Sequence, residues 1–197
     1  MANLKLKNPS GGSLNLVSAD SASDLTLTFP AVTGTAVISG QNSAITSGTA
    51  VASTSGTSID FTSIPNWVKR ITVVFNGVST NGSSMSLIQL GTGATTYTTS
   101  GYVSTSVGAA SSPGAASYTA GFGIRNDDAS YVMSGHMVIT NISGNIWISS
   151  HTTRITTGVC PIGGGSVTLG ATLTAVRITT VNGTDAYDAG SINILYE

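Results

Sequence analysis

Val68-Lys-Arg-Ile71-Thr-Val73-Val74-Phe75 is the stretch on which the fold turns. Its β-branched and aromatic residues suit a pleated strand, and the run has neither the length nor the 3.6-residue period of an amphipathic helix. Upstream, Thr57-Ser-Ile59-Asp-Phe61 alternates apolar and polar residues, as a strand with one buried face does, and Ile64-Pro65-Asn66-Trp67 turns the chain between the two. Downstream, Asn76-Gly77 and Asn81-Gly82 read as turns. Strands are expected at Met85 to Leu90, Tyr97 to Val103, Ser117 to Ile124, Tyr131 to Thr140, Ile146 to Ser150, Leu173 to Val181 and Ser191 to Tyr196. About eight strands in roughly 140 residues fit an antiparallel, jelly-roll-like β-sandwich.

Composition points the same way. Charged residues are 8% of the 197, against roughly a quarter in an ordinary soluble domain, while 40% are apolar. Polarity here comes from Ser and Thr hydroxyls, and the Lys, Glu, Gln and Arg that usually coat helices are scarce. The 24 glycines serve the many turns that short strands require. With that much apolar content the chain is expected to be ordered.

A net charge of -1 gives no drive toward nucleic acid, whose binders carry a basic patch. The N-terminus lacks the apolar core of a signal peptide, and no apolar run is long enough for a span, so no membrane insertion is expected. The single Cys160 excludes an internal disulfide framework. Seven Lys and Arg in all leave little repulsion between copies, which favours self-association at uncovered sheet edges.

Three segments are expected. Residues 1–40 form an arm whose short apolar pairs, Leu4, Leu6, Leu14, Leu16, Leu25, Leu27 and Phe29, cannot bury a face alone and so require neighbours. Residues 41–56, small and hydroxyl-rich without a period, read as a linker. Residues 57–197 form the β-sandwich knob.

No constellation of residues signals catalysis. His136 and His151 have no Cys or His at zinc-ligand spacing and are expected in structural or surface roles. Cys160, before Pro161 and Gly163-Gly-Gly165, reads as a small buried hydrophobe, and the glycines as a turn. Asp60, Asp127, Asp128, Asp185 and Asp188 offer few facing pairs for glycoside hydrolysis, and acidic turn residues more often cap their own backbone than hold calcium. No metal and no cofactor are expected. Should the knob take a ligand, Tyr102, Tyr118 and Tyr131 with Asp127 and Asp128 are the candidates, because tyrosine offers a sugar both a stacking face and a hydroxyl. The competing expectation is that strand aromatics pack in the core, as Trp67 and Trp147 are expected to do.

Gly56-Thr-Ser-Ile-Asp-Phe-Thr-Ser-Ile-Pro-Asn-Trp-Val-Lys-Arg-Ile-Thr-Val and the following Phe75-Asn-Gly-Val-Ser-Thr-Asn-Gly resemble C-terminal domains of tailed-bacteriophage fibre and related virion surface proteins. The end of the chain, from Val176-Arg-Ile-Thr-Thr-Val-Asn-Gly to Ile192-Asn-Ile-Leu-Tyr-Glu197, resembles their terminal segment. Leu25-Thr-Leu-Thr-Phe-Pro-Ala-Val-Thr-Gly-Thr-Ala-Val is similar to recurring segments of phage shaft and decoration proteins. The resemblance implies a homotrimer on the virion surface, made in the bacterial cytoplasm, with the arm on the major capsid protein or another virion protein and the knob outward. A short arm without a long shaft suits a capsid decoration, cement or head-fibre protein. The alternative is a short tail fibre or adhesin recognising a host surface glycan. Outside virion biology, a carbohydrate-binding module and, last, a hydrolase remain.

Overall fold

A computed structural model describes residues 4–7, 10–11, 13–16, 45–109, 114–156 and 158–197. Every regular element among them is a strand. The chain divides into two units, Met1–Ala36 and Val37–Glu197.

In the first unit β1 (Leu4–Lys7) and β2 (Ser13–Leu16) form an antiparallel hairpin. Leu4 stands opposite Leu16 and Leu6 opposite Leu14, so the four leucines occupy one set of alternate register positions, with Lys5 and Lys7 on the other. Leu25, Leu27 and Phe29, the other expected attachment residues, lie outside the described residues, as do strand candidates 25–29 and 36–38.

The second unit contains β3 (Thr46–Ser47), β4 (Val51–Ala52), β5 (Ile59–Phe61), β6 (Arg70–Thr80), β7 (Ser86–Gly91), β8 (Val103–Ala109), β9 (Gly114–Tyr118) and β10 (Phe122–Ile124). It continues with β11 (Met133–Ser143), β12 (Ile146–Arg154), β13 (Cys160–Thr168), β14 (Ala175–Thr180) and β15 (Tyr187–Tyr196). They form two antiparallel sheets, a small one in the order β10-β7-β14-β5 and a nine-stranded one in the order β3-β15-β6-β11-β12-β13-β8-β9, with β4 also on β15. One core draws on both. Ile59, Phe61, Ile88, Leu90, Phe122, Ile124, Val176 and Ile178 come from the small sheet, and Ile71, Val73, Phe75, Met137, Ile139, Trp147, Val167, Ile192 and Ile194 from the large one. The architecture is all-β and sandwich-like. Among the described residues, no helix is long and apolar enough to cross a membrane.

The decisive stretch behaves as its residues require. In β6, Ile71, Val73 and Phe75 are buried while the residues between them are not, which is the two-residue period of a strand with one face on the core. In β12 the alternation runs without a break from Ile146 to Arg154.

Five expectations need correction. Asn76-Gly77 is not a turn but lies inside β6, where Gly77 takes a φ of 65° and the pairing with β15 and β11 slips. It makes a β-bulge, the other use of a residue that tolerates positive φ. Part of the expected linker joins the fold, since β3 and β4 pair with β15 and the buried Ser53 hydroxyl donates to the Ala189 carbonyl at 2.7 Å. The stretch from Ser117 to Ile124 is two strands rather than one, with β9 in the large sheet and β10 in the small. The strand expected over Tyr97 to Val103 begins only at Val103 and runs to Ala109.

The largest departure is Gly163-Gly164-Gly165, read as a turn and found in the middle of β13, between β12 and β8. Sequence propensity argues against a strand there, because glycine has no side chain to pack. The neighbours supply the reason. A Cβ at Gly163 would fall 2.2 Å from the Thr105 carbonyl oxygen and 2.6 Å from His151 Cε1, and one at Gly165 would fall 2.4 Å from the Val103 carbonyl oxygen. Backbone cannot retreat as a flexible side chain can. Gly163→Ala should therefore destabilise the protein by about 1–3 kcal/mol, the range for overpacked interiors, read as a lower urea midpoint. An unchanged midpoint would show that β8 and β13 separate freely.

Candidate functional site

The residues singled out as ligand-facing fall in two places. Asp127 and Tyr131 line a cleft of about 180 Å³ with Gly108, Arg125, Ile155, Val159 and Pro161. Arg125 follows β10 and is fixed on two sides. Its Nε and Nη2 donate to Asp127 Oδ2 at 3.1 and 2.9 Å, and its Nη1 donates to the Gly114 carbonyl at 2.9 Å. Asp128 is turned to its own loop, where Oδ1 accepts from the Ser130 amide at 2.8 Å and the Ser130 hydroxyl at 2.7 Å. Those two donors hold its carboxyl below the usual range.

Tyr102 and Tyr118 do not face a ligand, which corrects the expectation for both. Tyr102 is buried, packs edge-to-face on Phe122 at 5.0 Å, and its oxygen accepts the Leu90 amide at 2.8 Å. Tyr118 lies over the backbone of Gly123, where a Cβ would meet its ring, and its hydroxyl donates to Met85 Sδ. Burial pushes both phenols up to about 12. The residue before β8 and the last residue of β9 point inward, a parity that pairing fixes and residue type does not.

The other aspartates among the described residues are also engaged. Asp60 takes both Nε and Nη2 of its cross-strand partner Arg177 at 2.8 Å, and the guanidinium lies 4.0 Å from the centre of the Tyr97 ring. Asp185 accepts from the Ser84 amide at 2.8 Å and from Asn182 Nδ2 at 2.6 Å, and Asp188 accepts from the Ser79 hydroxyl. Among the described residues, no group of three or more His, Cys, Asp and Glu is arranged to hold a metal.

One arrangement carries no sequence signal. His151 Nε2 lies 3.0 Å from Ser106 Oγ, although 45 residues separate them. Ser106 Oγ also accepts the Arg125 amide at 3.1 Å, so one hydroxyl joins the ring to the chain after β10. A Ser–His pair is a nucleophile–base geometry. Here neither can serve: Ser106 is fully buried, His151 is 4% exposed, and Nδ1 meets no orienting carboxylate. Burial also pulls the imidazole down to about 4. The pair is a polar tie inside the sandwich, as expected of a structural histidine. His136 is exposed on β11.

Two further expectations fail on geometry. Trp67 is 39% exposed and packs beside Tyr196 with ring centres 6.0 Å apart, because it sits on the turn before β6 rather than within a strand. Cys160 is exposed because it opens β13 on the outward phase, opposite Ala109. Trp147 is buried in the core as expected.

The outer face of the large sheet is the remaining feature of size. Val103 is 73% exposed, and Ile148 and Ile162 on the same face are 40% and 42% exposed. No protein-family model, curated protein or solved structure matches the chain.

Proposed function

We propose that the chain is a non-enzymatic structural protein of a tailed-phage virion, a trimeric capsid decoration or head-fibre protein held to the particle by its N-terminal arm. The observation that carries this reading is the division of the chain into a small unit, with a hairpin whose four leucines share alternate register positions, and a much larger β-sandwich-like unit. A two-stranded hairpin is marginal in water and gains stability when its apolar side is covered. The larger unit supports a jelly-roll reading of the knob. Its chain alternates between sheets, with β5, β7, β10 and β14 in the small one and β6, β8, β9, β11 and β15 in the large one, and β12–β13 enter as an extra hairpin between β11 and β8.

The rival reading, a glycan-recognising adhesin, has the Arg125–Asp127–Tyr131 cleft in its favour. At about 180 Å³ the cleft lies below the roughly 300–1,000 Å³ of ordinary small-molecule sites, and its guanidinium is already bonded to protein oxygens. Assembly therefore ranks above ligand binding.

Immunogold labelling of the encoding phage, with antibody against residues 45–197, separates these readings. Gold over the capsid is expected; gold at the tail tip replaces decoration with adhesion, and unlabelled particles overturn both. A chain beginning at Val37 should bind stripped particles at least tenfold more weakly than the full chain.

A further inference from the structure

The register of the large sheet brings an unusual set of residues to its outer face. Ile148 stands opposite Ser166 and Ser166 opposite Val103. In the next outward row Val138, Ser150, Gly164 and Thr105 follow one another from β11 to β8, and in the next His136, Thr152, Ile162 and Val107. Thr72 and Val74 continue these rows on β6, Leu195 and Asn193 on β15, and Ser117 and Ala115 on β9. The centre, at Ser150, Gly164 and Thr105, is flat because Gly164 carries no side chain. Ile148, Val103, Ile162, Val107 and Val138 lie around it, with Ser166, Thr152 and Ser117 between them. Arg70 and Arg154 are the charged groups in the described outward positions of β6, β8, β9, β11, β12 and β13, both at strand ends, and Arg70 is paired with Glu197 at 3.0 Å. On β15, Asp188 sits near the start of the strand and is bonded to Ser79.

We propose that this outer face is the surface on which another copy of the same chain docks. The proposal deepens the trimeric reading above by naming its interface, and it stands or falls separately from the virion assignment. Three physical considerations select a second copy. Seven strands about 4.8 Å apart, over about seven residues at about 3.3 Å each, make a face of roughly 800 Å². That matches the roughly 800 Å² per partner of a standard stable interface. Covering Ile148, Ile162, Val103 and Val107 removes apolar surface from water, while almost no charge has to be desolvated. An uncharged face also gives a different protein no charge pattern to recognise, whereas around a threefold axis three identical faces are covered at once, each against a neighbouring copy.

Sedimentation of the purified full chain tests this without any particle. Wild type should sediment as an oligomer at micromolar concentration, and Ile162→Glu should weaken association at least a hundredfold. Val103→Lys is a second variant, on another strand and at the most exposed of these positions, where a folding defect is least expected. Val181→Glu changes an exposed apolar residue outside the large sheet and should leave the oligomer intact. A monomeric wild type would overturn the proposal, as would wild-type affinity in both folded face variants. Equal dissociation by Val181→Glu would overturn it too, since the effect would then not belong to this face.

Discussion

Phe122→Ala should cost about 3–5 kcal/mol, a large share of the roughly 5–15 kcal/mol that stabilises a typical domain. Phe122 is fully buried on β10, a three-residue strand at the edge of the small sheet, and its ring meets Tyr102 edge-to-face. Truncation removes the ring's burial, leaves a cavity, and deletes an aromatic pair worth about 0.5–1.5 kcal/mol beyond area. The loss spreads because β10 is short. Its Gly123 amide donates to Ser104 Oγ and the following Arg125 amide to Ser106 Oγ, so a loosened β10 also loosens the ties between the sheets. At about 2–4 °C per kcal/mol for a chain of this size, calorimetry should show a drop of about 6–20 °C. Phe122→Leu, which keeps most of the volume, should lose far less. A drop under about 3 °C for the alanine variant would mean that Phe122 is not a keystone of the core.

Acid should destabilise the protein in a window set by His151. In the folded state burial holds its imidazole at about 4, against 6.5 in an unfolded chain. Between those values the unfolded state binds the extra proton, so stability rises with pH across the window. The contribution is complete above pH 6.5 and is lost as pH falls toward 4. The loss amounts to about 3 kcal/mol, because a tenfold change in proton affinity is worth about 1.4 kcal/mol. The structural cause is local: His151 faces Ser106, Met137 and Gly163 inside the sandwich, and its Nε2 is hydrogen-bonded to the Ser106 hydroxyl. A second ring proton places a full charge inside the sandwich, away from water, where Nδ1 has no partner. Urea midpoints measured from pH 7 to pH 4 should fall steadily in wild type and in His136→Gln. They should flatten in His151→Gln, which keeps a hydrogen-bonding group for Ser106. Equal wild-type midpoints at pH 7 and pH 4.5 would refute the assignment.

Much of the site was open to reading for one reason and closed for another. Asp127 and Tyr131 were singled out as ligand candidates, and they meet in one cleft with Arg125. Tyr102 and Tyr118 were misread because a tyrosine beside a strand looks the same whichever face it joins. Ser106 and His151 were invisible as a pair. Nothing local marks two residues 45 apart as neighbours; only the pairing of β12 with β13, and of β13 with β8, brings them together.

By itself the sequence determined the class of the fold. Val, Ile, Thr and Phe at two-residue spacing, hydroxyls in place of charges, and glycine between short runs allow sheets and disfavour helices, and these are local properties that every window of the chain carries. Tertiary structure decided the rest. It put Gly163-Gly164-Gly165 into a strand, where carbonyls of β8 and β12 approach closely enough to favour glycine, made Asn76-Gly77 a bulge, turned Trp67 outward, and stitched Thr46–Ser47 and Val51–Ala52 onto the last strand. Each depends on what lies across the sheet or across the core, and that neighbour is far away in sequence. The breadth of the uncharged outer face has the same origin, since scattered Val, Ile, Thr and Gly become one surface only when register aligns them.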